Sequence, residues 1–155
     1  QGVPIMRSAF TEKGSVFLIE NSFRLSSALH DEPLEGGLMP EDAAVLRDNL
    51  VPHWGPIWVV GKSLDLSEET THFEILVPGE YTVEAPRAVT IDGHLREPGE
   101  TITLSAGRHQ PSVLDGNVSI VLRWGNHLAR PQHDLHHSAD RLFSHGLCEV
   151  VSLRA

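Results

Sequence analysis

Hydrophobic and polar positions alternate most cleanly in "VSIVLRW" (118–124). A period of two puts Val118, Ile120, Leu122 and Trp124 on one face of a strand, and Ser119, Val121 and Arg123 on the other. "TITLSA" (101–106) repeats the pattern, with Ile102 and Leu104 inward and Thr101, Thr103 and Ser105 outward. From Thr71 onward strand-length pieces recur at regular intervals: "HFEILV", "YTVEA", "AVTID", "TITLSA", "SVL" and "VSIVLRW". Turn residues separate them, namely Pro-Gly, Pro-Arg, "GHLREPG", "GRHQP" and "DGN". This spacing predicts an antiparallel β-sandwich over residues 71–126.

The first half mixes periods. "SVFLIE" (15–20) and "PIWVVG" (56–61) are short apolar runs of strand length. "NSFRLSSALHDEP" (21–33) carries Phe23, Leu25, Ala28 and Leu29 at helical spacing, with Asn21 or Ser22 as cap. "LMPEDAAVLRDNL" (38–50) predicts a second helix. Pro40 suits its first turn, Glu41 and Asp42 favour the positive end of its dipole, and Ala43, Leu46 and Leu50 form the apolar stripe. Pro52 is expected to end it. The organisation read from these patterns is α+β: a small α/β segment over 1–70, the sandwich over 71–130, and a His-rich segment with a terminal strand over 131–155. At 155 residues the parts make either one compact domain or one domain with a small companion.

The tripeptide Pro-Gly-Glu occurs at 78–80 and again at 98–100. A duplicated unit would keep its apolar residues in phase. Here Tyr81 and Val83 follow the first proline at odd offsets, whereas Ile102 and Leu104 follow the second at even ones. A slip of one residue sends side chains to the opposite face, so the two copies read as one turn chemistry used twice. A phosphate loop would need a lysine and a following helix, and neither is present. Asp92-Gly93 likewise reads as a turn, since no run of alternating Asp or Asn follows as a calcium loop requires.

The run "FEILVPGEYTVE", "VTIDG", "PGETITLSAGRH" and "VLRWG", over residues 72–125, resembles the small all-β extracytoplasmic domains of bacterial envelope proteins. It is particularly similar to those that follow the membrane-spanning part of polytopic glycosyltransferases of the protein-mannosyltransferase type. The resemblance implies a sandwich in the periplasm, attached to the inner membrane through its parent, with the parent's membrane-embedded part as partner. It carries over no active-site residue, because the acidic catalytic residues of such transferases lie in their membrane part.

Composition narrows the alternatives. With 21 acidic against 12 basic residues the formal net charge is −9, which disfavours a nucleic-acid partner. No apolar run approaches the roughly 20 residues that span a bilayer. The opening "QGVPIMRS" lacks the charged start and apolar stretch of a secretory leader, and beginning on Gln points to a processed chain or a piece of a longer protein. The single cysteine, Cys148, rules out an internal disulfide and sits in an apolar context.

Chemistry-bearing side chains concentrate in "RPQHDLHHSADRLFSHGLC" (130–148). On a helix, His133, His136 or His137, and Asp140 share one face, a donor set suited to a divalent metal. The zinc-protease pattern is not met, since Asp134 stands where its glutamate would be and the second histidine comes early. Solvated histidines on a polar segment are the simpler reading, with no cofactor required. Trp54 and Tyr81 are the candidates for stacking on a sugar ring, while Trp58 and Trp124 lie in apolar strands that predict core positions. The leading expectation is a non-catalytic accessory domain. A carbohydrate-binding module and a His-rich metal-dependent protein are the alternatives.

Overall fold

The computed structural model describes residues 6–14, 16–32, 38–67, 72–113 and 115–130. Among the described residues it is mostly antiparallel β-sheet with three short helices, an α+β architecture. The chain forms two compact units that divide between Val60 and Gly61.

The first unit holds α1 (Met6–Lys13), β1 (Phe17–Ile19), α2 (Phe23–Leu29), α3 (Pro40–Asn49), β2 (Leu50–Trp54) and the start of β3 (Ile57–Leu66). Helix α2 begins as the sequence predicts. Ser22 is extended, and its hydroxyl accepts from the Leu25 amide at 3.3 Å. One of its C-terminal carbonyls is met from α3, where the Arg47 guanidinium donates to the Ala28 carbonyl at 2.9 Å. Pro40 opens α3, and the buried carboxylate of Asp42 accepts from the Met6 amide at 2.9 Å, joining α3 to the start of α1. Small side chains line the helix contacts, with Ala28 and Ala43 both at 0% exposure. Helix α1 has no counterpart among the sequence expectations. Phe10 is its one buried residue among the described side chains, too few to make an apolar stripe.

Pro52 does not end the second helix; α3 stops at Asn49 and the chain passes directly into β2, with Pro52 inside it. A proline is tolerated there because β2 pairs with β3 alone, so its missing N–H breaks no ladder on the other side. The β2–β3 register shifts between Pro52 and Trp54, and Gly55, at φ +51°, turns the hairpin.

Residues 57–60 of β3 pair with β1 and β2, and from Gly61 onward β3 belongs to the second unit. The second unit continues with β4 (Phe73–Ile75), β5 (Gly79–Glu84), β6 (Val89–Ile91), β7 (His94–Arg96), β8 (Thr101–Leu104), β9 (Gly107–His109), β10 (Pro111–Ser112) and β11 (Val118–Trp124). Its main sheet runs β3, β11, β5, β8, antiparallel throughout. A three-stranded sheet, β10-β6-β7, and a ribbon, β4-β9, complete it. Val118, Ile120 and Leu122 on β11 are buried with Val83, Ile102 and Leu104, as the alternation predicts. Full burial of each such side chain contributes about 1.5–3 kcal/mol.

The two Pro-Gly-Glu copies differ in structure, which corrects the expectation of a single turn chemistry. At 98–100 the Glu100 amide donates to the Glu97 carbonyl at 3.0 Å and Gly99 has φ +84°, a type II turn with Pro98 at its second position. At 78–80 the glycine lies inside β5, opposite Leu104. It is needed because a Cβ there would meet the Trp124 indole nitrogen at 2.9 Å. Two stretches read as turns are strands: "GHLREPG" contains β7 and "GRHQP" contains β9. Neither alternates in hydrophobicity, since His94 and Leu95 are both exposed and β9 buries a histidine.

Tyr81 marks the centre of the second unit. It is 1% exposed, burial pushes its phenol above the ordinary range, and its hydroxyl donates to the Val77 carbonyl at 2.5 Å. Tyr81→Phe should lower the free energy of unfolding by about 1–3 kcal/mol, because a buried carbonyl loses its donor. Leu122→Ala should cost about 2–5 kcal/mol through the cavity it leaves. Urea denaturation of the two variants checks both values and their order.

Candidate functional site

The β6–β7 hairpin turns on Asp92 and Gly93, with φ of +52° and +76°. Positive φ at both central positions is the type I′ geometry that the twist of a two-residue hairpin requires, and Asp is among the few side chains that accept it. The turn aims the Asp92 carboxylate at β9. One oxygen lies 2.7 Å from His109 Nδ1, and the other accepts from the Gln110 amide at 2.8 Å. The Asp92 amide in turn donates to the Gln110 carbonyl at 2.8 Å.

His109 is buried, 7% exposed, with Phe73 stacked on its ring at 5.6 Å and 28°. Its other nitrogen, Nε2, lies 2.8 Å from the Ser105 carbonyl. Both ring nitrogens therefore face acceptors, and only the imidazolium can donate to both at once. Burial alone pushes the His109 value down, but the Asp92 carboxylate and the Ser105 carbonyl outweigh it and raise the value. Burial likewise works to raise the Asp92 value, and the bonds from His109 and the Gln110 amide together hold it below its ordinary range.

This arrangement has the members of a catalytic dyad in a closed geometry. A general base needs a nitrogen lone pair aimed at substrate, as where a histidine's Nε2 faces a hydroxyl. Here Nε2 faces a backbone carbonyl and both carboxylate oxygens are engaged, so the pair works as a tertiary cross-link.

A second ionic cross-link joins β11 to β5. Arg123 is buried, and its guanidinium forks onto Glu84 at 2.7 and 3.0 Å. Beyond it, the Thr82 hydroxyl donates to the Gly125 carbonyl at 2.8 Å and accepts from the His127 amide at 3.1 Å. A shallow cleft of about 390 Å³ lies where β3 ends and β11 begins, lined by Asp65, Ser67, Asn117 and Ser119 among others. Its carboxylate is also engaged, accepting from the Ser119 hydroxyl at 2.5 Å.

In the first unit, Glu20 Oε2 accepts from the Trp58 indole at 2.8 Å and lies 3.6 Å from His30 Nε2. The His30 ring, half exposed, meets Trp58 edge-on at 5.5 Å. Trp58 itself is buried, as the sequence predicts, so it presents no open face for stacking.

Of the sequence candidates for a ligand, Trp54 keeps a partly exposed position on β2, whereas Tyr81 lies in the core of the second unit with no ring face open to a sugar. His133, His136, His137 and Asp140 lie outside the described residues, as does Cys148. Among the described residues no three His, Cys, Asp or Glu side chains converge as a metal would require, and no helix is long and apolar enough to cross a membrane.

The Asp92–His109 pair escaped the sequence reading. Asp92 was legible as a turn residue, but its partner lies 17 positions away in a segment with no strand periodicity. Compared with models of known families, with curated proteins and with solved structures, the chain matches none.

Removing Glu84 should show what the forked pair contributes. Glu84→Ala takes away the carboxylate that meets the buried Arg123 guanidinium, with an expected loss of about 1–3 kcal/mol. The lower part of that range is expected, because Glu84 is a third exposed and water screens the pair. Thermal or chemical denaturation against the wild type measures it.

Proposed function

We propose that this chain is a non-catalytic accessory module of a bacterial envelope protein, acting outside the cytoplasm beside the membrane-embedded part of a glycosyltransferase-type parent. Its role is to position a partner, a glycan or a neighbouring domain. The observation that carries the reading is the closure of the Asp92–His109 pair. In the histidine and carboxylate best arranged for acid–base work, both ring nitrogens and both carboxylate oxygens are bonded within the protein. The location rests on the sequence resemblance of residues 72–125 to extracytoplasmic domains of such parents.

In this reading the second unit is an antiparallel sandwich. Supporting it is the Tyr81 hydroxyl bonded to the carbonyl four residues upstream, the geometry of the tyrosine corner found in Greek-key sandwiches. A glycan-binding role is the second reading, favoured by the partial exposure of Trp54 on β2 beside the Gly55 turn.

The test is made in the parent protein. A reporter enzyme that folds only after export, fused directly after this chain, should be active, and a reporter that works only in the cytoplasm should be silent; the reverse pattern overturns the location. Purified parent carrying Asp92→Asn should keep its wild-type turnover while its fold, followed by circular dichroism, is retained. Lost turnover in a folded variant would make the pair catalytic. Binding on a glycan array that vanishes with Trp54→Ala and survives Tyr81→Phe would put the second reading first.

A further inference from the structure

A buried imidazole held between two acceptors is stable in one protonation state. We propose that Asp92, His109 and the Ser105 carbonyl form a proton-dependent latch, which fastens the β6–β7 turn to β9 while His109 carries both ring protons and releases it when one is lost. The latch goes beyond the functional reading above and does not depend on it.

The geometry specifies what release means. A neutral imidazole has one N–H and one lone pair. With N–H on Nε2, the Ser105 bond survives and the Nδ1 lone pair faces the Asp92 carboxylate at 2.7 Å; with N–H on Nδ1, the Nε2 lone pair faces the Ser105 oxygen at 2.8 Å. Either tautomer sets a lone pair against an acceptor. The Asp92 carboxylate is 43% exposed, so water can take over its bond, whereas the His109 ring is only 7% exposed, so the Asp92 side is the one that parts. What parts is connected to the core. Ile91 on β6 is 1% exposed and is followed directly by Asp92, while Phe73 on β4 stacks on the His109 ring. Loss of the latch therefore loosens the β4–β9 ribbon against the β6–β7 hairpin.

Charged and titratable groups surround the latch on each neighbouring element. His94, on β7, contacts the Asp92 carbonyl through Nδ1 at 2.9 Å and helps to hold the Asp92 carboxylate ionised. Glu74 on β4 lies opposite Arg108 on β9 in the ribbon register. Arg96 on β7 pairs with Glu100 at 2.8 Å, and His72 precedes β4.

The direction of the pH dependence follows from the two shifts. The His109 value is raised in the folded state, so its contribution is complete below the ordinary histidine value of about 6.5 and is lost as pH rises through the raised one. The Asp92 value is lowered, so its contribution is complete above the ordinary aspartate value of about 3.9 and is lost as pH falls through the lowered one. The latch is closed between these limits and opens toward alkaline pH.

Nitrogen-15 NMR of the wild-type chain should find two ring protons on His109 at pH 6 and a titration midpoint above about 6.5. The Gln110 amide, which donates to Asp92, should lose about tenfold or more of its hydrogen-exchange protection between pH 6 and pH 9, after correction for base catalysis. Asp92→Asn is the decisive variant. An amide tolerates the left-handed turn and can donate to Nδ1 of a neutral imidazole while Nε2–H keeps the Ser105 bond. The variant should therefore fold with Gln110 protection that no longer changes over this range. One ring proton on wild-type His109 at pH 6, or protection independent of pH, would overturn the latch. So would an Asp92→Asn variant that keeps the wild-type pH response.

Discussion

Strand β11 is hydrogen-bonded along both edges, to β3 on one side and β5 on the other, and the rest of the second unit is arranged around that constraint. A strand paired on both sides cannot slip by one residue without turning its whole apolar set outward. Val118, Ile120 and Leu122 therefore fix the register of both neighbours, and the register decides what happens on the other face. Arg123 falls there, buried, and its guanidinium meets an acceptor on β5, the Glu84 carboxylate. Trp124, one residue on, lies against position 79 closely enough to require glycine. Gly125 then donates to the Glu80 carbonyl, closing the strand end on β5.

Three buried polar side chains of this unit are held in the same way. Tyr81, Arg123 and His109 are all buried, and each meets an acceptor within the protein: the Val77 carbonyl, the Glu84 carboxylate, and the Asp92 carboxylate with the Ser105 carbonyl. A buried polar group left without a partner costs more than a satisfied one contributes, so such networks specify a fold more than they add to its stability. That economy bears on function. Side chains that in another setting would serve as acid, base or anion-binding group are here the cross-links between strands. The pair at the hairpin tip holds the β6–β7 turn to β9 and to the residue that follows it.

How much was legible from the sequence varied with the distance over which each feature is determined. The cap at Ser22, the proline at the start of α3, the turn at Asp92-Gly93 and the inward residues of β8 and β11 are local, and each was read from a few neighbouring residues. Helix α1 was not legible, because one buried phenylalanine makes no stripe. Strand β9 was not legible either, because a histidine takes the place of an apolar residue at its buried position. The doubled Pro-Gly-Glu is architectural in both copies but not uniform. Pro98 and Gly99 set a turn by their own dihedral preferences, whereas Gly79 answers to a tryptophan 45 positions away.

By itself, then, the sequence determined the α+β class, the positions of most strands and the residues that face inward, because periodicity and turn chemistry act over a handful of residues. Only the tertiary structure decided which polar residues meet. The pairing of Asp92 with His109, of Glu84 with Arg123 and of Glu20 with Trp58 depends on which strands and turns become neighbours, and no local pattern encodes that. Burial then did the rest, turning side chains that read as reactive or merely scattered into fixed donors and acceptors.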